Sequence, residues 1–274
     1  MAEAGASTAT GEARIAARFE AARGDGRAAL MPYLMGGFPD QDTATAVAIA
    51  YADAGADLVE LGVPFSDPLA DGPVIHAAAT RALVGGAGLD DVLRTCESIA
   101  DRVAVVPMCY ANMVLARGPA EFARALADAG ACGTIVPDLP IDEADAVTEA
   151  LDSAGLAVVP LVAPTTPPDR RREICRAARG FVYVVSDTRT TGERDELPER
   201  LGALVAAVRD DADVPAAVGF GIGTPEQAAA VGRIADGVII GSRLVRAVAE
   251  APDQREAVAA VTEFLRATRE ALAA

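Results

Sequence analysis

Two carboxylates eleven residues apart, Glu60 and Asp71, stand in the stretch VELGVPFSDPLADGP, residues 59–73. The first ends an apolar run and the second sits in the loop beyond it. Burying an acid at the end of an apolar strand is costly without a purpose. Two carboxyl groups held in unlike surroundings have their proton affinities pushed apart, which separates a proton donor from a proton acceptor. The structural alternatives are Asp67 and Asp71 as turn formers, and Glu60 as the partner of an arginine.

What the chain lacks narrows the chemistry. All 24 basic residues are arginine, and the missing lysine excludes a Schiff-base aldolase, a lysine-anchored pyridoxal site and a Walker P-loop together. With His76 as the only histidine, a His-rich metal centre cannot be assembled, and no metal is expected. Cys96, Cys109, Cys132 and Cys175 are widely spaced and form no CxxC pair, so they read as reduced, mostly buried thiols. Forty acidic residues against 24 basic ones give a net charge of −16, which repels nucleic acid and acidic membrane surfaces. No apolar run approaches the ~18 residues of a membrane span, and the N-terminus has neither a basic start nor an apolar stretch. A cytoplasmic protein is expected.

Anion chemistry has its own candidates. GFGIG (219–223) and GSRLV (241–245) each end an apolar run, and the second opens a short helix. Backbone N–H groups exposed by glycine and a helix N-terminus suit a phosphate there, with Gly221, Gly241 and Ser242 as the candidates. The polar loop DTRTTGERDELP (187–198) reads as a lid in which Thr191 and Gly192 close over the anion; a plain surface loop is the alternative. Tyr33, Tyr110, Tyr183, Phe220, Met108 and Ile135 fall at or near strand ends, where they line a flat apolar pocket or serve as ordinary core.

Something must bring these residues together. Eight short β-branched runs alternate with helical patterns: 29–36, 57–62, 103–110, 133–138, 156–164, 181–187, 216–221 and 237–242. Most are apolar on both faces, as parallel strands covered by helices should be. Several helices end in a glycine just before the next strand, at Gly55, Gly130, Gly155 and Gly180, positions suited to a left-handed cap. Eight βα units predict a single-domain α/β protein, a closed (β/α)8 TIM barrel, with an open doubly wound sheet as the alternative. In such a barrel the working groups sit where strands end and βα loops begin, which is where the carboxylates and the glycine loops fall. Residues 1–13 read as a disordered tail and 14–274 as the barrel, with an N-terminal helix plugging its bottom and a periodic helix closing the chain.

The stretch ELGVPFSDPLADGP resembles the signature of the tryptophan synthase alpha subunit family. The likeness continues through GGFPD, CYANMV, IVPDLP, LVAPTTP, FVYVVS, GFGI and the final GS, along nearly the whole barrel. It implies retro-aldol cleavage of indole-3-glycerol phosphate to indole and glyceraldehyde 3-phosphate. Glu60 would then be the catalytic acid/base and Asp71 the group that holds the indole N–H. Tyr183, Thr191, Gly192, Gly221, Gly241 and Ser242 would contact substrate or phosphate, and Tyr33, Tyr110 and Ile135 would wall the indole. The resemblance further implies a separate beta subunit in an α2β2 assembly, with pyridoxal phosphate in that partner alone. Faces around residues 63–73 and 110–113, with the PDLP stretch, would dock it. The lid departs from the family pattern: SDTRTTG (186–192) puts Arg189 and Thr190 where glycine and valine are usual. Tyr33 stands where phenylalanine is common.

Overall fold

The computed structural model describes residues 9–185, 200–219 and 221–274. Nine parallel strand segments follow one another: β1 (Ala29–Met35), β2 (Leu58–Gly62), β3 (Ala104–Met108), β4 (Gly133–Ile135), β5 (Ala157–Val159), β6 (Leu161–Val162), β7 (Val182–Val185), β8 (Ala216–Gly219) and β9 (Gly237–Ile240). Their order is β5-β4-β3-β2-β1-β9-β8-β7-β6. The two ends of that order, β5 and β6, are consecutive pieces of one expected strand, so the ring closes on itself as the predicted barrel and not as an open sheet. The break falls at Pro160, which has no N–H to give to a ladder. Its carbonyl still accepts from Tyr183 N at 2.9 Å, and Val158 O accepts from Arg179 N at 3.2 Å, so the seam is stitched across the break.

Inward and outward positions alternate along each strand with period two. Met31 on β1, Leu58 on β2, Ala104 and Val106 on β3, Val159 on β5 and Ala217 on β8 fill the barrel, while Leu30, Val59, Val105 and Val218 pack outward against the helices. On this count Glu60, two residues after Leu58, takes an inward position midway along β2, which runs on to Gly62. All four glycines expected to end helices have positive φ, from 73° to 89°. All four cysteines are buried and free. Burial pushes the Cys96 and Cys109 thiols up to about 12, which keeps them protonated and unreactive.

The N-terminal helix, Gly11–Gly24, starts earlier than the tail boundary drawn at residue 13. Thr10 caps it by accepting from Ala13 N, and Gly11 N donates to Gly155 O at 2.8 Å, so the chain is already anchored at this point. Ile15, Phe19 and Ala22 of this helix are buried with the inward strand residues, and the Phe19 and Phe181 rings meet at 5.8 Å. Gly237 makes room for the plug: a Cβ there would lie 3.0 Å from the Phe19 ring. Just past this helix Arg27 and Asp57 form a two-pronged ion pair at 2.5 and 2.9 Å, with side chains only 3% and 9% exposed. Asp57 also accepts from Leu30 N at 2.7 Å, tying β1 to the start of β2.

Candidate active site

At the opposite end of the barrel, where the strands finish, a cavity opens to solvent. Nine of the residues singled out from sequence line it: Glu60, Asp71, Tyr33, Met108, Ile135, Tyr183, Gly221, Gly241 and Ser242. They arrive from β1, β2, β3, β4, β7 and the loops after β2, β8 and β9, so only the closed barrel makes them neighbours. Thr191, Gly192 and Phe220 lie outside the described residues, as do Arg189 and Thr190 of the lid.

Glu60 is 2% exposed, and its Oε2 has no hydrogen-bond partner among the described residues. Burial, reinforced by the negative charge of Asp71, raises its carboxyl from an ordinary 4.5 to about 8. Among the described residues no arginine pairs with it. At neutral pH this group holds a proton and can give it up, which suits an acid/base catalyst. Asp71 is half-buried. Burial raises its carboxyl too, but a hydrogen bond from the Tyr110 hydroxyl and the nearby His76 draw it back down. Both carboxyls are thus raised, Glu60 to about 8, and of the two only Asp71 has a hydrogen bond and a positive neighbour that favour its anion.

Tyr110 sits elsewhere than expected. It does not line the cavity; it lies behind the loop after β2, 1% exposed. Its hydroxyl accepts from Ala70 N at 3.2 Å, and its ring stacks on Phe65 at 5.0 Å. Tyr110 therefore holds the loop that carries Asp71 and does not wall the pocket. Asp138 performs a similar task next door by accepting from Ala111 N at 2.8 Å, which fixes the start of the helix Ala111–Arg117. His76 is exposed, in the first turn of the helix Pro73–Val84.

The wall is apolar. Met108, Leu161 and Ile239 join Ile135 on it, and Ala70 and Ile75 contribute from the β2 loop and the helix that follows. Leu161 and Ile239 were missed as pocket residues. Counting inward positions up each strand to its end would have found them, because each stands two residues beyond an inward neighbour, Val159 and Gly237. Tyr33 and Tyr183 lie close over backbone: a Cβ on Gly62 would fall 1.9 Å from the Tyr33 hydroxyl, and one on Gly219 would fall 2.3 Å from that of Tyr183. Glycine at these two strand ends is what admits the phenol rings. On the far side the helix Ser242–Glu250 begins at the cavity with no side-chain cap, and Ser242 is buried at its first position. The N–H groups of Ser242 and Arg243 at its start have no partner among the described residues, which suits an anion.

Two carboxyls, an apolar wall and an uncapped helix start thus share one cavity, in a chain whose motifs resemble one family. The family model for the tryptophan synthase alpha chain matches residues 19–273. The chain belongs to that family. The tryptophan synthase alpha chain of Synechocystis sp. is 46% identical to it over 262 residues, spanning 94% of this chain and 98% of that protein. That of Thermosynechococcus vestitus is 44% identical over 262 residues, spanning 94% and 97%. Among solved structures, Mycobacterium tuberculosis tryptophan synthase superposes with a TM-score of 0.89 at 37% identity, covering 97% of this chain and 100% of that one. The barrel expected of a tryptophan synthase alpha chain is therefore the barrel observed. No helix among the described residues is long and apolar enough to cross a membrane.

Proposed function

We propose that this chain is the lyase subunit of a tryptophan synthase, cleaving indole-3-glycerol phosphate to indole and glyceraldehyde 3-phosphate. The observation that carries the reading is Glu60: a buried carboxyl with an unpartnered oxygen, poised near 8, lining the same cavity as the more acidic Asp71. Glu60 delivers a proton to C3 of the indole ring and takes one from the hydroxyl on the adjacent side-chain carbon. As that O–H is lost a carbonyl forms, the bond from its carbon to C3 breaks, and the bonding pair returns to the ring. Asp71 accepts the indole N–H and stabilises the positive charge that builds when C3 is protonated. Because the protonated ring is itself the electron sink, no Schiff base is required, in keeping with a chain that contains no lysine.

Ile135, Met108 and Tyr183 support the flat ring, and the phosphate rests against Gly221, Gly241 and Ser242 at the helix start. The protein works in the cytoplasm and docks a beta subunit in an α2β2 assembly through the faces around residues 63–73 and 110–113, with the PDLP stretch. Pyridoxal phosphate belongs to that partner. Steady-state release of indole, measured with and without added beta subunit, tests the reading. Glu60→Gln is expected to lower turnover about a hundredfold or more while substrate still binds, as when a positioned proton-transfer group is lost. Near-normal turnover in that variant, or none in the parent protein under either condition, would overturn it.

A further inference from the structure

The hydroxyl of Tyr33 has a place in the site that packing alone does not explain. Tyr33 and Glu60 are register partners on β1 and β2, so their side chains stand side by side facing the barrel interior. The ring is 5% exposed, and its hydroxyl rests against Gly62, where strand β2 gives way to the loop that carries Asp71. The hydrogen-bond acceptor the structure gives that hydroxyl is a thioether, Met35 Sδ, at 4.0 Å. Thioether sulfur is a weak acceptor, and a buried phenol O–H left on it is poorly satisfied. Beside it the Glu60 Oε2 lacks any partner among the described residues. A poorly satisfied donor and an unsatisfied acceptor thus border the same cavity, with the Asp71 carboxylate as the other anion that bears on the phenol.

Resting on the lyase reading above, we propose that Tyr33 is a positioning residue whose hydroxyl donates, directly or through one water, to the carboxyl pair and holds it in its singly ionised state. A donor to the anion favours the anion, so Tyr33 lowers the first of the two apparent pKa values shared by Glu60 and Asp71. Among the described residues the other groups that face the pair are Tyr110, from the loop after β3, His76, from the helix Pro73–Val84, and Tyr183, from β7. Tyr110 already secures one side of Asp71, and Tyr33 serves the side facing the cavity.

Tyr33→Phe removes the hydroxyl and keeps the ring. The acid limb of kcat/KM against pH is expected to move up by about half a pH unit or more, and kcat near pH 7 to fall roughly three- to tenfold with KM little changed. A limb that stays in place with kcat within twofold of the parent would show that the hydroxyl only packs. A second readout needs no turnover: carboxyl-carbon NMR titration of the Glu60 and Asp71 signals in the free chain, assigned through Glu60→Gln and Asp71→Asn. There the lower titration step should shift upward in Tyr33→Phe. No shift would overturn the proposal even if the lyase reading stands, and a shift would sustain it even if another reaction proved to occupy the cavity.

Discussion

Replacing Glu60 with glutamine should make the protein more stable as it makes it less active, and the gain should depend on pH in a prescribed way. In the unfolded chain this carboxyl titrates near 4.5, and in the folded chain near 8. Below 4.5 both states hold the proton, and the group neither stabilises nor destabilises the fold. Between the two values the unfolded chain releases a proton that the folded chain retains. Stability therefore falls as pH rises, by about 1.4 kcal/mol for each pH unit, and the loss is complete above 8. At pH 7 the penalty is on the order of 3 kcal/mol, and glutamine, which is neutral throughout, does not suffer it. The amide introduces a cost of its own, because its N–H groups meet the same unpartnered surroundings as Oε2, but that cost is the same at every pH. The signature is thus the slope: the melting temperature of Glu60→Gln relative to the parent should rise steadily from pH 5 to pH 8. A rise of roughly 5–10 °C over that span corresponds to the energy above for a chain of this size. Thermal melts by circular dichroism in matched buffers measure it. If the two melting curves ran parallel across that range, Glu60 would not be a buried neutral acid, and the catalytic assignment would lose its physical basis.

Two further outcomes follow from contacts elsewhere in the barrel. Arg27→Met leaves the buried Asp57 with only Leu30 N and the more distant Arg269, at 3.9 Å, beside it, so denaturant unfolding should show a loss of roughly 3 kcal/mol, and a loss under about 1 would mean that the Arg27 pair is dispensable. Gly219→Ala places a methyl 2.3 Å from the Tyr183 hydroxyl, which must then swing toward the cavity. KM for indole-3-glycerol phosphate should rise several-fold with a stable fold, and an unchanged KM would show that the Tyr183 ring has room to retreat.

The barrel was legible because its strands are apolar on both faces and its helices end on glycine, two signals that repeat with every unit. The seam at Pro160 was not, since LAVVPLVAP has one continuous apolar pattern and the proline disturbs the ladder on one side only. The start of the N-terminal helix was drawn late because its anchor, the bond from Gly11 N to Gly155 O, is a tertiary contact between residues far apart in the chain. Glu60 and Asp71 stood out because acids are unexpected at the end of an apolar strand. Tyr110 was misplaced because an aromatic at a strand end looks the same whether it faces the pocket or braces the loop behind it; its hydroxyl bond to Ala70 N decides which. Leu161 and Ile239 were hidden by their own ordinariness, as apolar residues in apolar strands.

The plug formed by Ile15 and Phe19 has a consequence for traffic. A barrel stoppered at its base admits nothing from that side, so whatever reacts inside comes and goes at the end where the strands finish. Departing products and the next substrate molecule all use that end. A companion chain seated over it would therefore govern the order of arrivals and departures, and turnover would depend on the fit of the two chains as much as on the acids within.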